Sequence, residues 1–180
     1  MAGAEIDLVD MQKREYVLSN ILEKVKDYYD FIMIDCPPSL GLLTVNALTS
    51  ADSVLIPIQC EFYALEGLTQ LMNTVRLIIH HLNPKLQIEG VVLTMKDNRS
   101  NLVNQVSEEI KKFFGNRVFE TYIPRNIRLA EAPSHGEPIV TYDIYSKGAD
   151  AYMNLAEELL NRNGLDYTKI DKKKILRGKK

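Results

Sequence analysis

A chain of 180 residues, 46% hydrophobic and 26% charged, with a net charge of −2, is long enough to bury one globular core and too mixed in composition to be disordered or fibrous. It has no run of about 18–20 apolar residues to cross a bilayer, and its polar opening, Met1-Ala2-Gly3-Ala4-Glu5, lacks a signal-peptide core, so a cytoplasmic protein is expected. Residues 165–180 hold seven Lys/Arg against Asp166 and Asp171, leaving −7 on the remainder; an acidic body disfavours a broad nucleic-acid surface, and any DNA contact must rest on particular arginines.

Taken in order, residues 5–26 space Ile6, Val9, Met11, Leu18, Ile21, Leu22 and Val25 roughly as a helix, with an imperfect stretch at residues 12–15. Phe31-Ile32-Met33-Ile34 is a short solid apolar run ended by Asp35 and two prolines, which predicts a strand buried on both faces. A helix over residues 39–49 follows, then a strand over 53–58 and a long helix over 62–82, stopped by Asn83-Pro84. Residues 88–94 predict a third strand, 101–114 a helix ended by Gly115, 118–123 a fourth strand before Pro124, and 146–163 a closing amphipathic helix. Apolar strands alternating with crossover helices imply an α/β fold with a doubly wound, mainly parallel sheet. Ligands gather at the carboxyl ends of such strands, which directs attention to Asp35, residues 59–61, 94–99 and 124–128.

An aspartate at the end of a buried strand can face a phosphate-bound Mg²⁺ and orient its waters. Asp35 alone reads equally as a turn or capping residue. Its neighbours favour the first reading: Pro37-Pro38 stiffen the exit, Ser39 can cap the next helix, and Gly41 leaves a backbone N–H open to an anion. The run Tyr29-Asp30-Phe31-Ile32-Met33-Ile34-Asp35-Cys36-Pro37-Pro38-Ser39-Leu40-Gly41-Leu42-Leu43-Thr44-Val45-Asn46-Ala47-Leu48 resembles the Walker B and switch II segment of the ParA/Soj family of chromosome-partitioning ATPases. Three further stretches resemble the same family in the same order: Ile56-Pro57-Ile58-Gln59-Cys60-Glu61-Phe62-Tyr63-Ala64-Leu65-Glu66-Gly67-Leu68, Leu93-Thr94-Met95-Lys96-Asp97-Asn98-Arg99, and Ile123-Pro124-Arg125-Asn126-Ile127-Arg128-Leu129-Ala130-Glu131-Ala132-Pro133-Ser134-His135-Gly136.

The resemblance covers residues 2–162 and implies a P-loop NTPase-like fold, incomplete at the amino terminus, over residues 1–163, with 164–180 a basic, disordered tail. It implies that Asp35 holds Mg²⁺ through water, that Asp35, Pro37, Pro38 and Gly41 belong to switch II, and that Thr94, Met95 and Asp97 with Pro124, Arg125 and Asn126 flank the adenine of ATP. Arg99 and Arg128 match positions that contact the nucleic-acid backbone, giving sequence-independent, salt-sensitive binding. The family further implies an ATP-dependent homodimer, non-specific DNA as partner, hydrolysis stimulated by a ParB-type protein, a nucleoid-associated location, no membrane, and a link to sporulation control. Without the resemblance, the two loops read as ordinary turns and the two arginines as solvated side chains.

One part of the pattern is absent: the 180 residues contain no Gly-Lys-Ser/Thr triplet, whereas the family's phosphate loop is Gly-rich and lysine-bearing. ATP and Mg²⁺ are therefore expected in an intact protein, but neither ATP binding nor hydrolysis is expected of this chain alone. The alternative is a non-enzymatic regulator that binds DNA or a full-length relative. A MinD-like membrane site-selection ATPase is a further rival, which the poor apolar face of Leu165, Tyr167, Ile170, Ile175 and Leu176 argues against. Elsewhere, Cys36 and Cys60 lack metal-ligand spacing and are expected as reduced structural thiols. His80-His81 read as helix-end residues, and His135 has no triad partner at readable spacing.

Overall fold

Helical spacing opens the chain as two short helices rather than one. The computed structural model describes residues 2–36, 41–61, 64–97 and 99–165, and the chain divides into two compact units, Met1–Leu55 with Glu66–Glu89 and Ile56–Leu65 with Gly90–Lys180. In the first unit, α1 (Ala2–Val9) and α2 (Val17–Leu22) are separated by a 3-10 turn at Arg14–Tyr16. The break falls where the apolar spacing is imperfect. Lys13 there has φ 54°, a left-handed conformation that an α-helix cannot propagate.

Next comes α3 (Leu42–Ser50), whose Asn46 holds the broken entry in place. Asn46 Nδ2 donates to the carbonyls of Arg14 at 2.8 Å and Leu42 at 3.0 Å, and Oδ1 accepts from the Leu18 N–H at 3.1 Å. A side chain only 3% exposed thus meets its hydrogen-bonding needs, as a buried amide must. Beyond it, α4 (Ala64–His81) lays Val75 and Ile78 against Leu48 and Leu86. Asn83 ends that helix and fastens its exit, with Nδ2 donating to the carbonyls of Leu48 at 3.0 Å and Ala51 at 2.8 Å.

The strands β1 (Ser53–Gln59) and β2 (Gln87–Thr94) are neighbours in one sheet, connected through α4 as a β-α-β unit. In the second unit, residues 118–124 run parallel to β2, with bridges at Val91–Val118 and Lys96–Pro124. The Phe119 N–H donates to Val91 O at 2.9 Å and the Ile123 N–H to Leu93 O at 2.9 Å. Close approach here needs Gly90: a Cβ at that position would lie 2.5 Å from the Arg117 carbonyl oxygen and from the Phe119 ring.

Four more helices complete the described chain: α5 (Asn101–Phe114), α6 (Ile127–Glu131), α7 (Ile139–Tyr142) and α8 (Lys147–Arg162). Ser100 caps α5 by accepting from the Val103 N–H at 3.5 Å, and Gly115, at φ 56°, terminates it. The sequence-based bounds of these elements hold within a residue or two for β1, β2, α5 and α8. No described helix is long and apolar enough to cross a membrane. The tail beyond residue 165 lies outside the described residues.

One expectation is overturned. Residues 31–34, read as a strand buried on both faces, are extended but form no strand among the described residues, and Phe31, Ile32 and Met33 are 36%, 38% and 70% exposed. An extended segment becomes a strand only when a neighbouring backbone takes up its N–H and C=O groups. No described segment pairs with it.

The outer edge of residues 118–124 is treated differently. Glu158 on α8 accepts from the N–H groups of Glu120 and Thr121, both at 2.9 Å, and Arg162 donates to Val118 O at 3.0 Å and to Glu158 at 2.8 Å. The Arg162 guanidinium also lies 3.9 Å from the centroid of the Phe119 ring. Partial burial raises the pKa of Glu158, but the amides of Thr121 and Glu120 and the Arg162 pair outweigh it, and the net shift is downward. A depressed carboxylate adds stability above its unfolded value near 4.5, and that stability is lost as pH falls through the lower folded value. Glu158→Ala is expected to cost about 1–3 kcal/mol at neutral pH. In chemical denaturation its difference from the parent should shrink toward zero in acid; a constant difference would show that the carboxylate's charge plays no part.

Candidate functional site

Two strand ends meet in the second unit. β2 leaves the sheet at Thr94, and Met95 turns the chain with φ 50°, a left-handed geometry that a long unbranched side chain adopts only when its surroundings hold it there. The Lys96 N–H then donates to Ile123 O at 3.1 Å, and the Arg125 N–H to Lys96 O at 3.3 Å. The chain at Lys96 is thereby set beside Pro124 and Arg125, which brings the 94–97 loop next to the 124–126 loop. Asn126 has a local task as well, capping α6 by accepting from the Arg128 N–H at 2.8 Å. A cavity of about 710 Å³ opens beside these loops, lined by Lys96, Asp97, Arg99, Pro124 and Arg125 and, from α8, by Lys147, Asp150 and Asn154.

Arg99 lines this cavity and Arg128 stands in the first turn of α6. Each is paired. Arg99 grips Asp97 through Nε to Oδ1 at 3.0 Å and Nη2 to Oδ2 at 2.9 Å, although its own side chain is 92% exposed. The side-chain hydrogen bonds from Arg99, and then its backbone N–H, hold the Asp97 carboxyl down at about 2. Arg128 donates through Nη1 to Glu131 Oε2 at 2.9 Å, with Nε 3.5 Å from Asp143 Oδ2. Lys96 Nζ lies 4.6 Å from the centroid of the Tyr122 ring.

In the first unit, Asp35 closes the extended segment and is exposed. Pro37 and Pro38 lie outside the described residues, as does Ser39. Gly41 is the N-cap of α3. The next amide is engaged within the chain: Glu5 Oε1, from α1, accepts from the Leu42 N–H at 3.2 Å. A helix N-terminus attracts negative charge through its unpaired N–H groups and dipole, and here the chain supplies its own carboxylate. A Cβ at Gly41 would collide with that carboxylate oxygen. Among the described residues no three His, Cys, Asp or Glu side chains cluster to hold a metal. Cys60 is buried against Ser107 at 3.6 Å, whereas Cys36 is exposed, with partial burial and then Asp35 pushing its pKa up.

Comparison with known proteins gives this geometry a lineage. The sporulation initiation inhibitor protein Soj of Bacillus subtilis is 63% identical over 159 residues, 88% of this chain and 63% of Soj. The chromosome partitioning protein ParA of Myxococcus xanthus is 54% identical over 163 residues, 91% of this chain and 58% of ParA. The chain is homologous to the Soj/ParA chromosome-partitioning proteins over most of its length. A family model described as an AAA domain matches residues 1–88. Among solved structures, cobyrinic acid a,c-diamide synthase of Mycobacterium smegmatis with bound ADP and magnesium superposes with a TM-score of 0.74 at 34% identity, covering 91% of this chain and 59% of that one. The α/β fold is that of the P-loop ATPases. The chain spans about three-fifths of the length of the curated relatives it matches.

Several residues of this Soj/ParA homologue were not singled out from sequence. Lys147, Asp150 and Asn154 reach the cavity from a helix more than twenty residues beyond Pro124, and nothing local to them signals a site. Glu5 reads as one more polar residue in the first turn of a helix. The carboxylates on the arginines carried a weak signal: Glu131 stands three residues after Arg128 and Asp97 two before Arg99, spacings that permit contact without demanding it.

The Asp97 pair has a direct spectroscopic test. Because its folded value is depressed, the pairing is complete at neutral pH and is lost only as pH falls toward 2. In Arg99→Ala, which keeps the backbone N–H, the Asp97 carboxyl resonance should titrate clearly higher, moving from about 2 toward the ordinary 3.8. A midpoint still near 2 would mean that some other group holds the charge.

Proposed function

We propose that this chain is the portion of a ParA/Soj-type partition ATPase that bears the nucleic-acid-contacting arginines, the loops on the base side of the nucleotide and the switch II aspartate, within one ATPase domain over residues 1–163. The observation that carries the reading is the juxtaposition of the 94–99 and 124–128 loops, with the Lys96–Ile123 and Arg125–Lys96 backbone bonds between them, in a chain 63% identical to Soj. Arg99 and Arg128 take DNA phosphates. Thr94, Met95, Asp97, Pro124, Arg125 and Asn126 flank the adenine, and Asp35 faces Mg²⁺ through water. The intact protein dimerises in its ATP state, binds duplex DNA without sequence preference, responds to a ParB-type partner, and works in the cytoplasm on the nucleoid.

The donor set among the 180 residues fits only part of an ATP-Mg²⁺ complex. Arg99, Arg125 and Lys96 beside the cavity suit the nucleotide's periphery, and a single carboxylate, Asp35, suits a water-held metal. No Gly-Lys-Ser/Thr cradle is present to neutralise the transferring phosphoryl group. Loss of one such electrostatic contact commonly costs about 3–4 kcal/mol of transition-state stabilisation. No turnover of ATP is therefore expected from the 180-residue chain in a phosphate-release assay. Turnover at the pace of an intact family member would overturn this account of the site.

For DNA, fluorescence anisotropy with two unrelated duplexes gives the test. Arg99→Ala and Arg128→Ala should each weaken both duplexes alike, and each should lower the slope of log affinity against log salt by up to about 1. Equal affinity in parent and variants would remove both arginines from the interface.

A further inference from the structure

Both arginines assigned to phosphate already hold a carboxylate, and in both cases the carboxylate belongs to the same short stretch of chain. At Arg99 the grip is two-pronged, Nε and Nη2 on the two oxygens of Asp97, with the Arg99 backbone N–H adding a third bond to Oδ1 at 3.1 Å. Two oxygens side by side on Nε and Nη2 match the fork of a guanidinium, which is also how arginine holds a phosphate. At Arg128 two carboxylates share the group: Glu131 on Nη1 and Asp143 near Nε. Glu131 Oε2 is itself steadied by the Tyr142 hydroxyl at 3.3 Å, and the Tyr142 ring stacks on His135 with centroids 4.9 Å apart. Two arginines on separate segments are each engaged by carboxylate, Arg99 by one and Arg128 by two, at side chains exposed enough for a duplex to reach them.

We propose that Asp97 and the Glu131–Asp143 pair are built-in counterions, which a DNA phosphate must displace before it can take Arg99 and Arg128. The inference rests on the reading of these arginines as phosphate contacts and adds how that contact is regulated. An exposed ion pair is weak enough for phosphate to displace, yet it keeps each guanidinium oriented and its local charge neutral between encounters. It also alters the salt response. Neutralising a phosphate with a free arginine releases a condensed cation from the duplex. When the arginine first leaves a carboxylate, that carboxylate attracts a cation in turn, and the net release is smaller. Binding is thereby weakened at low salt and made less sensitive to salt, which favours rapid release from any one stretch of duplex.

The substitutions Asp97→Asn and Glu131→Gln test this in the intact, ATP-bound protein, the form to which the proposed function assigns DNA binding. Each keeps an oxygen acceptor, so Asp97→Asn preserves the turn bond to the Arg99 N–H, and circular dichroism checks the fold. Affinity for a short duplex is measured across about 50–200 mM salt. The expected result is binding about two- to fivefold tighter at the low-salt end for Asp97→Asn, with a salt slope steeper by up to about 1. The effect should be smaller for Glu131→Gln, because Asp143 remains. Both gains should vanish when Arg99→Ala or Arg128→Ala, respectively, is added.

Unchanged or weaker binding by both carboxylate variants, with the arginine variants still impaired, would overturn the counterion role and leave the phosphate contacts standing. Gains that persist without the arginines would reduce the effect to overall charge, and also overturn it. If the arginine variants bind like the parent, the underlying reading fails and the inference with it.

Discussion

The pairing of β2 with residues 118–124 is the constraint on which the candidate site depends. Each strand end taken alone is a turn of common chemistry. Parallel pairing makes both exit in the same direction at the same level, so that the Lys96 amide reaches Ile123 and the Arg125 amide reaches Lys96. The left-handed turn at Met95 and the cap made by Asn126 then aim the two loops. Gly90 is the small element that permits this, since any side chain there would drive the strands apart where Phe119 crosses β2. On the far edge, Glu158 and Arg162 satisfy backbone groups that an added strand would otherwise take. The ladder is therefore closed on one side by a helix and stiffened near the loops it carries.

Charge follows the same economy. The body outside residues 165–180 carries −7, so attraction to a polyanion cannot come from a general field and has to be local. In the proposed DNA contact Arg99 and Arg128 would supply it locally, and each is paired at the surface with carboxylates that would repel the same polyanion. A uniformly basic face gains affinity with every added lysine. On the counterion proposal, affinity and release would instead be set by which acceptor holds two guanidinium groups.

Much of the fold was legible because its signals are local. The solid apolar runs at β1 and β2, the Ser100 and Gly115 ends of α5, and the Ser146 cap of α8 are each written within a few residues. The strand-end turns were legible for a similar reason, since Thr94 to Asp97 and Pro124 to Asn126 carry turn chemistry within a few residues. What escaped was pairing. Phe31-Ile32-Met33-Ile34 has the composition of a buried strand, but burial is conferred by a neighbour, and composition does not show whether one is present. The break at Lys13, the reach of Glu158 to Glu120 and Thr121, and the arrival of Lys147 at the cavity likewise depend on contacts between residues far apart in sequence or on a backbone state that spacing does not encode.

The first unit shows the same dependence from the opposite side. Asp35 ends an apolar run close before a helix, the position from which a metal-facing role is proposed, yet its extended segment pairs with no described segment and the residue is exposed. Seven residues on, the Leu42 amide at the start of α3 is engaged by Glu5. One N–H hydrogen serves one strong acceptor, so an incoming phosphate oxygen and the Glu5 carboxylate exclude each other at that amide, and like charge adds to the exclusion. In this structure that amide is committed to an internal anion, and an external one could reach it only after Glu5 had left the end of α3.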